Sequence, residues 1–382
     1  VSTMFWLKTR IIEGRGSLEK LKKEAEGHER VLILSSNSMK RHGFLSEAED
    51  YVTEAGAEVF SITGLPAEPS VETIEEFLPK VREFEPDLLV ALGGGSVIDA
   101  TKALKVFYDA PELEFEEIAF IDRFSKPKPV PKLKTRLIAI PSTSGAGSEV
   151  SAASVLKKGG IKYNIVTPEI APDVAILDPR LPMTMPREVA RNSGLDVIVH
   201  GIEAYTTKVA NDFSDAMAIR AIKTVYKWLP LSVKGDEEAR EKVHYAATMA
   251  GIAFLNARLG LCHAMSHKAA WLGPHGLLNA IFLPYVMEFN AKRSDYARRR
   301  YAEIARELGF QTAKDLIEVV KELNEMLGVP TLGELVDEET FMARLDEMAE
   351  KAYRDGLTAF NPVEPKPEEI KELYLRAFYG RG

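Results

Sequence analysis

The sequence predicts an α/β first half built on a mostly parallel sheet, followed by an all-α second half. Three observations carry this. Short aliphatic runs alternate with amphipathic helical stretches up to about residue 180. Two of the aliphatic runs end in loops of glycine and small hydroxyl residues. From about Pro186 onward nearly every segment repeats its apolar positions with the period of a helix.

The elements follow in order. RVLILSS, Arg30 to Ser36, is a short aliphatic strand, and LSEAEDYVTEAG is an amphipathic helix ending near Gly56. AEVFSI is the next strand, and SVETIEEFLPKVREF is a helix that Ser70 is placed to cap. PDLLVALGGGS runs as an apolar strand into glycines, and VIDATKALKVFY continues as a helix. This alternation implies parallel strands covered on both faces. RFSKPKPVPKLK holds three prolines and is read as a surface connection without regular helix. TRLIAIPSTSGAGSEVS returns to a strand and a small-residue loop, and DVAILDPRLP is a strand stopped by Pro179 and Pro182. The helical half contains SDAMAIRAIKTVYKWL, EEAREKVHYAATMAGIAFLNA, HGLLNAIFLPYVMEFN, RRYAEIARELG and AKDLIEVVKELNEMLG.

Composition narrows the function. A net charge of -8 over 382 residues gives no support to nucleic-acid or anionic-membrane binding. No apolar run reaches the length of a membrane span. The one cysteine, Cys262, cannot close an intrachain disulfide, which fits a reducing, cytoplasmic setting. A homodimer is the base-rate expectation for assembly.

Two loops suggest a nucleotide. Gly93, Gly94, Gly95 and Ser96 lie between a strand and a helix, where glycine lets the backbone approach a bulky anion and the helix N-terminus favours negative charge. PSTSGAGSE, Pro141 to Glu149, is a second such loop, and both are expected at the C-terminal edge of the sheet, where open α/β folds bind ligands. The plainer reading is a pair of steric turns with Ser142, Thr143 and Ser148 as caps. No acid stands at Ser35, Ser36 or Asn37, after the first strand. An acid there would grip a ribose diol and repel a 2'-phosphate. Ser36 and Asn37, followed by Lys40 and Arg41, therefore favour NADP(H) over NAD(H); alternatively the two cations are a solvated helix start.

Two other stretches suggest a metal. In GLDVIVHGIEAY, Asp196 and His200 are four apart and share a helix face. In HAMSHKAAWLGPH, His263 and His267 repeat that spacing, and His275 opens the next helix. A carboxylate with two or three imidazoles suits Fe(2+), and Zn(2+) accepts the same ligands. His28 and His42 are read as surface residues and His244 as an ordinary helix residue. His200 alone would pair with Glu203 or cap. Four of seven histidines in two apolar stretches beside an aspartate weigh toward a metal site.

GGGSVIDATKA, IPSTSGAGSE, DVAILDP, GLDVIVHGIEAY, GLCHAMSHKAAWLGPHG and NAIFLPYVMEFN, in this order, resemble the iron-containing (group III) alcohol dehydrogenase family over nearly the whole chain. The resemblance implies a dehydroquinate synthase-like architecture: a Rossmann-like dinucleotide-binding domain over residues 1–180 and a helical metal-binding and catalytic domain over 181–382. It implies metal ligation by Asp196, His200, His263 and His275, with His267 near substrate and nicotinamide. Gly94, Gly95 and Ser96 match the pyrophosphate loop, and Asp99 matches an acid that is structural or cofactor-orienting. Ser142, Thr143 and Ser148 fall in the second cofactor loop, Lys162 resembles a lysine near the nicotinamide ribose, and Phe254 and Trp271 are candidate walls of the substrate cleft. The implied activity is reversible hydride transfer between a primary alcohol or aldehyde and NADP(H). The sequence departs from the family at Ser36, where many relatives carry an aspartate, at Ala146, and at His267 to Ala270, which reads HKAA for the usual HPLG. A glycerol-type polyol dehydrogenase, a phosphate-eliminating lyase and a non-catalytic nucleotide and metal sensor stay open. The lyase would need basic residues at the site, and the second histidine stretch offers only Lys268.

Overall fold

The computed structural model describes residues 4–66, 68–120, 122–159 and 161–380. The chain forms two compact units, one of Leu7–Ile121 and Ser125–Pro186, the other of Arg187–Gly382 with Val1–Trp6 and Asp122–Phe124.

The first unit holds strands β1 (Arg10–Glu13), β2 (Arg30–Ser35), β3 (Glu58–Ile62), β4 (Leu88–Gly93), β5 (Ala119–Phe120), β6 (Arg136–Pro141), β7 (Ala153–Lys158), β8 (Ile161–Val166) and β9 (Val174–Leu177). Its helices are α1 (Lys20–Ala25), α2 (Asn37–Arg41), α3 (Phe44–Glu54), α4 (Val71–Phe84), α5 (Gly95–Asp109) and α6 (Phe115–Ile118). Six strands make one parallel sheet in the order β1-β9-β6-β4-β2-β3.

Register explains the aliphatic runs. Leu34, Ala91 and Ala139 align across β2, β4 and β6 and face the helices α4 and α5 through Ile74, Leu78, Ile98 and Leu104. The alternate set, Ile33, Val90 and Ile138, faces α1 and α3 through Leu21, Leu45 and Val52. A strand buried on both faces has no polar side to show, so its sequence runs apolar without alternation. The chain leaves β2 toward β3 and leaves β4 toward β6 on the other side. The C-terminal ends of β2 and β4 are therefore the point where the strand order reverses, the ligand-binding position of open α/β sheets.

The expected strands and helices of this half are present, and Ser70 caps α4, its hydroxyl accepting the Thr73 N–H at 3.2 Å. Residues 123–134 hold no helix or strand, as the prolines require. Sequence reading did not name β1, four edge residues with only two apolar, nor the antiparallel sheet β5-β8-β7. β7 buries only alternate residues and ends in two lysines, a pattern weaker than the continuous runs beside it.

Among its described residues the second unit holds helices and no strand: α7 (Arg187–Thr206), α8 (Asp212–Lys234), α9 (Glu237–Ala257), α10 (Leu261–Lys268), α11 (His275–Arg293), α12 (Asp295–Glu307), α13 (Ala313–Met326), α14 (Glu338–Arg354) and α15 (Pro367–Tyr379). α7 is central and packs against α8, α9 and α11, and it is buried without a break from Gly194 to Thr206. Gly276 opens α11 where it meets α7: a Cβ there would lie 2.0 Å from the Asn192 carbonyl oxygen, so only glycine lets the two backbones approach. That contact seats His275, one residue earlier, beside Asp196 of α7. No helix among the described residues is long and apolar enough to cross a membrane.

Candidate metal centre

α7 carries Asp196, His200 and Glu203 on one face, at spacings of four and three. Asp196 and His200 face α10 and α11. Asp196 Oδ2 lies 3.8 Å from His200 Nε2, and Asp196 Oδ1 lies 3.6 Å from His263 Nε2 and 4.0 Å from His275 Nε2. A tetrahedral shell with bonds of about 2.1 Å sets its donors about 3.4 Å apart, so the set is only slightly wider than a closed shell. Asp196, His200 and His263 form the tight group, all three buried and mutually within 4.8 Å. His275 stands at its edge with a side chain 32% exposed.

The hydrogen bonds behind the histidines decide which nitrogen can bind. His263 Nδ1 donates to Glu203 Oε2 at 2.5 Å. Ser266 gives its single proton to the His263 carbonyl, so at 3.3 Å its oxygen accepts from His275 Nδ1. In their neutral forms both imidazoles therefore carry their proton on Nδ1 and turn the Nε2 lone pair toward Asp196. The Asn279 Nδ2 amide sits among these atoms, 2.7 Å from Asp196 Oδ1, 3.0 Å from His263 Nε2 and 3.1 Å from His275 Nε2. One amide has two protons for three acceptors. A buried donor set with more lone pairs than protons fits a divalent cation, and carboxylate with imidazole is the chemistry of iron and zinc.

Glu203 does a second job. Its carboxylate accepts the Cys262 N–H at 2.7 Å and the His263 N–H at 3.4 Å, the first turn of α10, while Asn361 Oδ1 takes the Leu261 N–H at 3.3 Å. An anion at a helix N-terminus is favoured by the dipole. One side chain thus fixes where α10 begins and how its first histidine is turned.

The charges respond to this packing. Burial works to raise the Asp196 pKa, but His200, His275 and His263 in their protonated forms and the Asn279 bond outweigh it and hold the carboxyl down at about 2. Burial works to lower the His263 pKa, and Glu203 reverses it to a net rise. Burial lowers the His267 pKa, against the pull of Asp355. His267 lies outside the tight group, its ring stacked on His275 at 5.2 Å and edge-on to His263 at 6.3 Å. Phe254 packs on the His200 ring at 4.7 Å. Trp271 is 37% exposed and lies under the Arg344 guanidinium at 4.4 Å. His28 pairs with Asp87, His42 bonds its own helix, and His244 is buried in α9.

In the other unit, the predicted loop residues cluster at the sheet edge. Gly94 and Gly95 lead into α5, with Ser96 in its first turn. A Cβ on Gly95 would sit 2.7 Å from Ala146 Cβ, and one on Gly94 would sit 3.2 Å from Thr143 Cγ2, so the two loops touch. Ser142 N–H donates to the Gly93 carbonyl at 2.9 Å and ties them together. Below them Asp99 accepts from the Ser148 hydroxyl and from the Val155 N–H at 3.1 Å. Lys102, fully buried, donates to Ser148 Oγ and Ser151 Oγ at 3.0 Å each and to the Ala153 carbonyl at 2.9 Å. Burial pulls the Lys102 pKa down to about 8, against the pull of Asp99 and Glu149. Ser36 caps α2, its oxygen accepting the Met39 N–H at 3.3 Å, while Asn37, Lys40 and Arg41 are exposed. Lys162 pairs with Glu68 at 2.7 Å.

Asn279, Ser266 and Lys102 are absent from the sequence-based expectations, where Glu203 enters only as a partner of His200. The signal was present. Glu203, Ser266 and Asn279 stand three or four residues after His200, His263 and His275, on the same helix faces.

Comparison with known proteins places this architecture. The profile of iron-containing alcohol dehydrogenase matches residues 8–179, and that of the Fe-containing alcohol dehydrogenase family C-terminal region matches 190–378. The chain is 76% identical to an alcohol dehydrogenase of Thermococcus barophilus, over 98% of this chain and 99% of that one. It is 42% identical to an NADPH-dependent butanol dehydrogenase of Clostridium saccharobutylicum, over 98% of each. The crystal structure of an iron-containing alcohol dehydrogenase from Thermococcus thioreducens superimposes with a TM-score of 0.98 at 88% identity, over 99% of this chain and 100% of that one. The chain belongs to the iron-containing alcohol dehydrogenase family, metal-dependent oxidoreductases that use a divalent metal and a nicotinamide cofactor.

Proposed function

We propose that this enzyme interconverts primary alcohols and aldehydes with NADP(H) in preference to NAD(H), using Fe(2+), or Zn(2+) in the same place, held by Asp196, His200, His263 and His275. Residues 1–180 bind the dinucleotide and 181–382 carry the metal and the catalytic groups. The observation that carries the reading is the convergence of Asp196 and three imidazoles, two with Nδ1 against the oxygens of Glu203 and Ser266 and Nε2 facing Asp196. When bound, the cation supplies Lewis-acid polarisation of the substrate oxygen and the nicotinamide supplies the hydride acceptor or donor.

The chain's own residues do the rest. Gly94, Gly95 and Ser96 offer the N-terminus of a 15-residue helix to a pyrophosphate. Ser142, Thr143 and Ser148 border it, with Asp99 and Lys102 bracing the second loop from beneath. Lys162 is the basic group assigned to the ribose, which it would reach by leaving its ion pair with Glu68. Ser36, Asn37 and the exposed Lys40 and Arg41 leave room and charge for a 2'-phosphate. Phe254 gives the cluster an apolar wall, and Trp271 is the second wall assigned to the substrate cleft. His267 relays the proton that the hydroxyl must lose. The butanol dehydrogenase relative supports both the NADP(H) preference and a small primary alcohol. The phosphate-eliminating alternative loses its basic residue, because Asp355 holds Lys268 at 2.7 Å.

His263→Ala tests the ligand assignment. It should lose metal together with alcohol-dependent NADP reduction, and full metal occupancy with normal activity would reject the assignment. His267→Ala should keep the metal and lose turnover.

A further inference from the structure

α10 ends in His267 and Lys268, and the chain returns to that turn at Asp355. The Asp355 residue is only 6% exposed. Its Oδ2 lies 2.7 Å from Lys268 Nζ and 3.7 Å from His267 Nδ1, and its Oδ1 accepts the Leu357 N–H at 3.0 Å. The last bond caps the short turn Gly356–Phe360. A neutral oxygen from Asn or Ser would cap it as well, so the cap does not explain a buried charge. Helix electrostatics do not explain it either, since an anion beside the last turn of α10 opposes the helix dipole. What the charge meets is His267 and Lys268. Burial works against ionisation, but the neighbouring His267 ring and the charge of Lys268 overcome it and keep the Asp355 carboxyl well below its ordinary range.

We propose that Asp355 is a positioning residue for His267, directing the ring and keeping its proton on Nδ1, with Lys268 as its countercharge. At 3.7 Å the carboxylate acts on the ring through its charge, which favours the proton on Nδ1 and leaves the lone pair on Nε2. His267 then presents that nitrogen as a proton acceptor while its ring stays stacked on His275 at 5.2 Å with an interplanar angle of 21°. The catalytic consequence rests on the proposed role of His267 as proton relay; the positional claim does not.

The test uses the zinc-loaded enzyme with its histidine rings labelled with nitrogen-15, in wild type, Asp355→Asn and Lys268→Met. Asn keeps an oxygen for the Leu357 N–H and removes the charge. In wild type the His267 signal should report a proton fixed on Nδ1. In both variants it should move toward a mixture of tautomers, with zinc content unchanged. Turnover of Asp355→Asn should fall about tenfold to a hundredfold, the range for lost orienting partners, with KM for the alcohol changing less than about twofold. Asp355→Glu should restore part of the loss. A His267 signal identical in wild type and both variants would overturn the positioning role. A tautomer shift with unchanged turnover would uphold the positioning and remove His267 from proton transfer.

Discussion

Replacing Glu203 with glutamine probes the link between fold and metal at one atom. The two side chains are the same size, so the core of α7 keeps its packing. Glu203 has three obligations: the Cys262 N–H at 2.7 Å, the His263 N–H at 3.4 Å and the His263 ring N–H at 2.5 Å. A carboxylate meets all three as acceptor. A glutamine has one acceptor oxygen, which the backbone of α10 will claim, and its NH2 then faces His263 Nδ1. Two N–H groups cannot face each other, so the imidazole moves its proton to Nε2, the nitrogen that points at Asp196. The ligand is lost in the unliganded protein and must be recovered when metal binds. Loss of such an orienting partner costs about tenfold to a hundredfold in metal affinity, or roughly 1.4–2.7 kcal/mol. Losing the anion at the N-terminus of α10 adds about 0.3–1 kcal/mol of destabilisation without metal. Competition against a chromophoric zinc chelator measures the first quantity and denaturant unfolding of the stripped protein measures the second. Zinc affinity within twofold of wild type would refute the tautomer argument.

Three further predictions follow from other parts of the molecule. Ser36→Asp should weaken NADPH binding by about 1–4 kcal/mol, the repulsion of two like charges about 4 Å apart near a surface, and spare NADH; unchanged NADPH affinity by fluorescence titration would show that Ser36 does not face the 2'-phosphate. Gly276→Ala would set its Cβ 2.0 Å from the Asn192 carbonyl, so we expect about 1–3 kcal/mol of destabilisation and weaker metal binding as His275 moves; an unchanged melting temperature and zinc affinity would contradict the close approach of α7 and α11. Lys102 falls from an ordinary value of 10.5 to about 8 in the folded protein, so between those pH values the unfolded chain holds the extra proton and stability should rise with pH. Relative to Lys102→Met the gain amounts to about 3 kcal/mol, and parallel unfolding curves for the two proteins across that window would exclude the titration.

Particular residues show what a reader of the sequence gains and loses. The central strands announced themselves because burial on both faces leaves no polar position in RVLILS or LLVALG. β1 and the three-stranded sheet did not, because each strand is short or half exposed and shares its composition with loops. At the candidate metal centre, the convergence of Asp196 with the histidines was legible from residue type and helical spacing. Their supports were not, because Glu203, Ser266 and Asn279 are common residue types whose role lies in the atom they face. His267 was read for its chemistry, yet Asp355, which sets its environment, enters from a segment 88 positions away from it in sequence, a separation that periodicity cannot bridge. Ser36, a specificity position by sequence, also caps α2 through its hydroxyl oxygen, which the run SSNSM already allows.

The central claim is that the cluster around Asp196 is a metal site that drives alcohol oxidation with NADP. Stripping the protein of metal and restoring Fe(2+) anaerobically, with Zn(2+) and Mn(2+) in parallel, tests it directly, with butanol oxidation followed by nicotinamide absorbance in NADP and in NAD. The account predicts activity that vanishes with the metal, returns with it, and is faster with NADP. Silence across several alcohols and aldehydes, with metal and cofactor demonstrably bound, would contradict it.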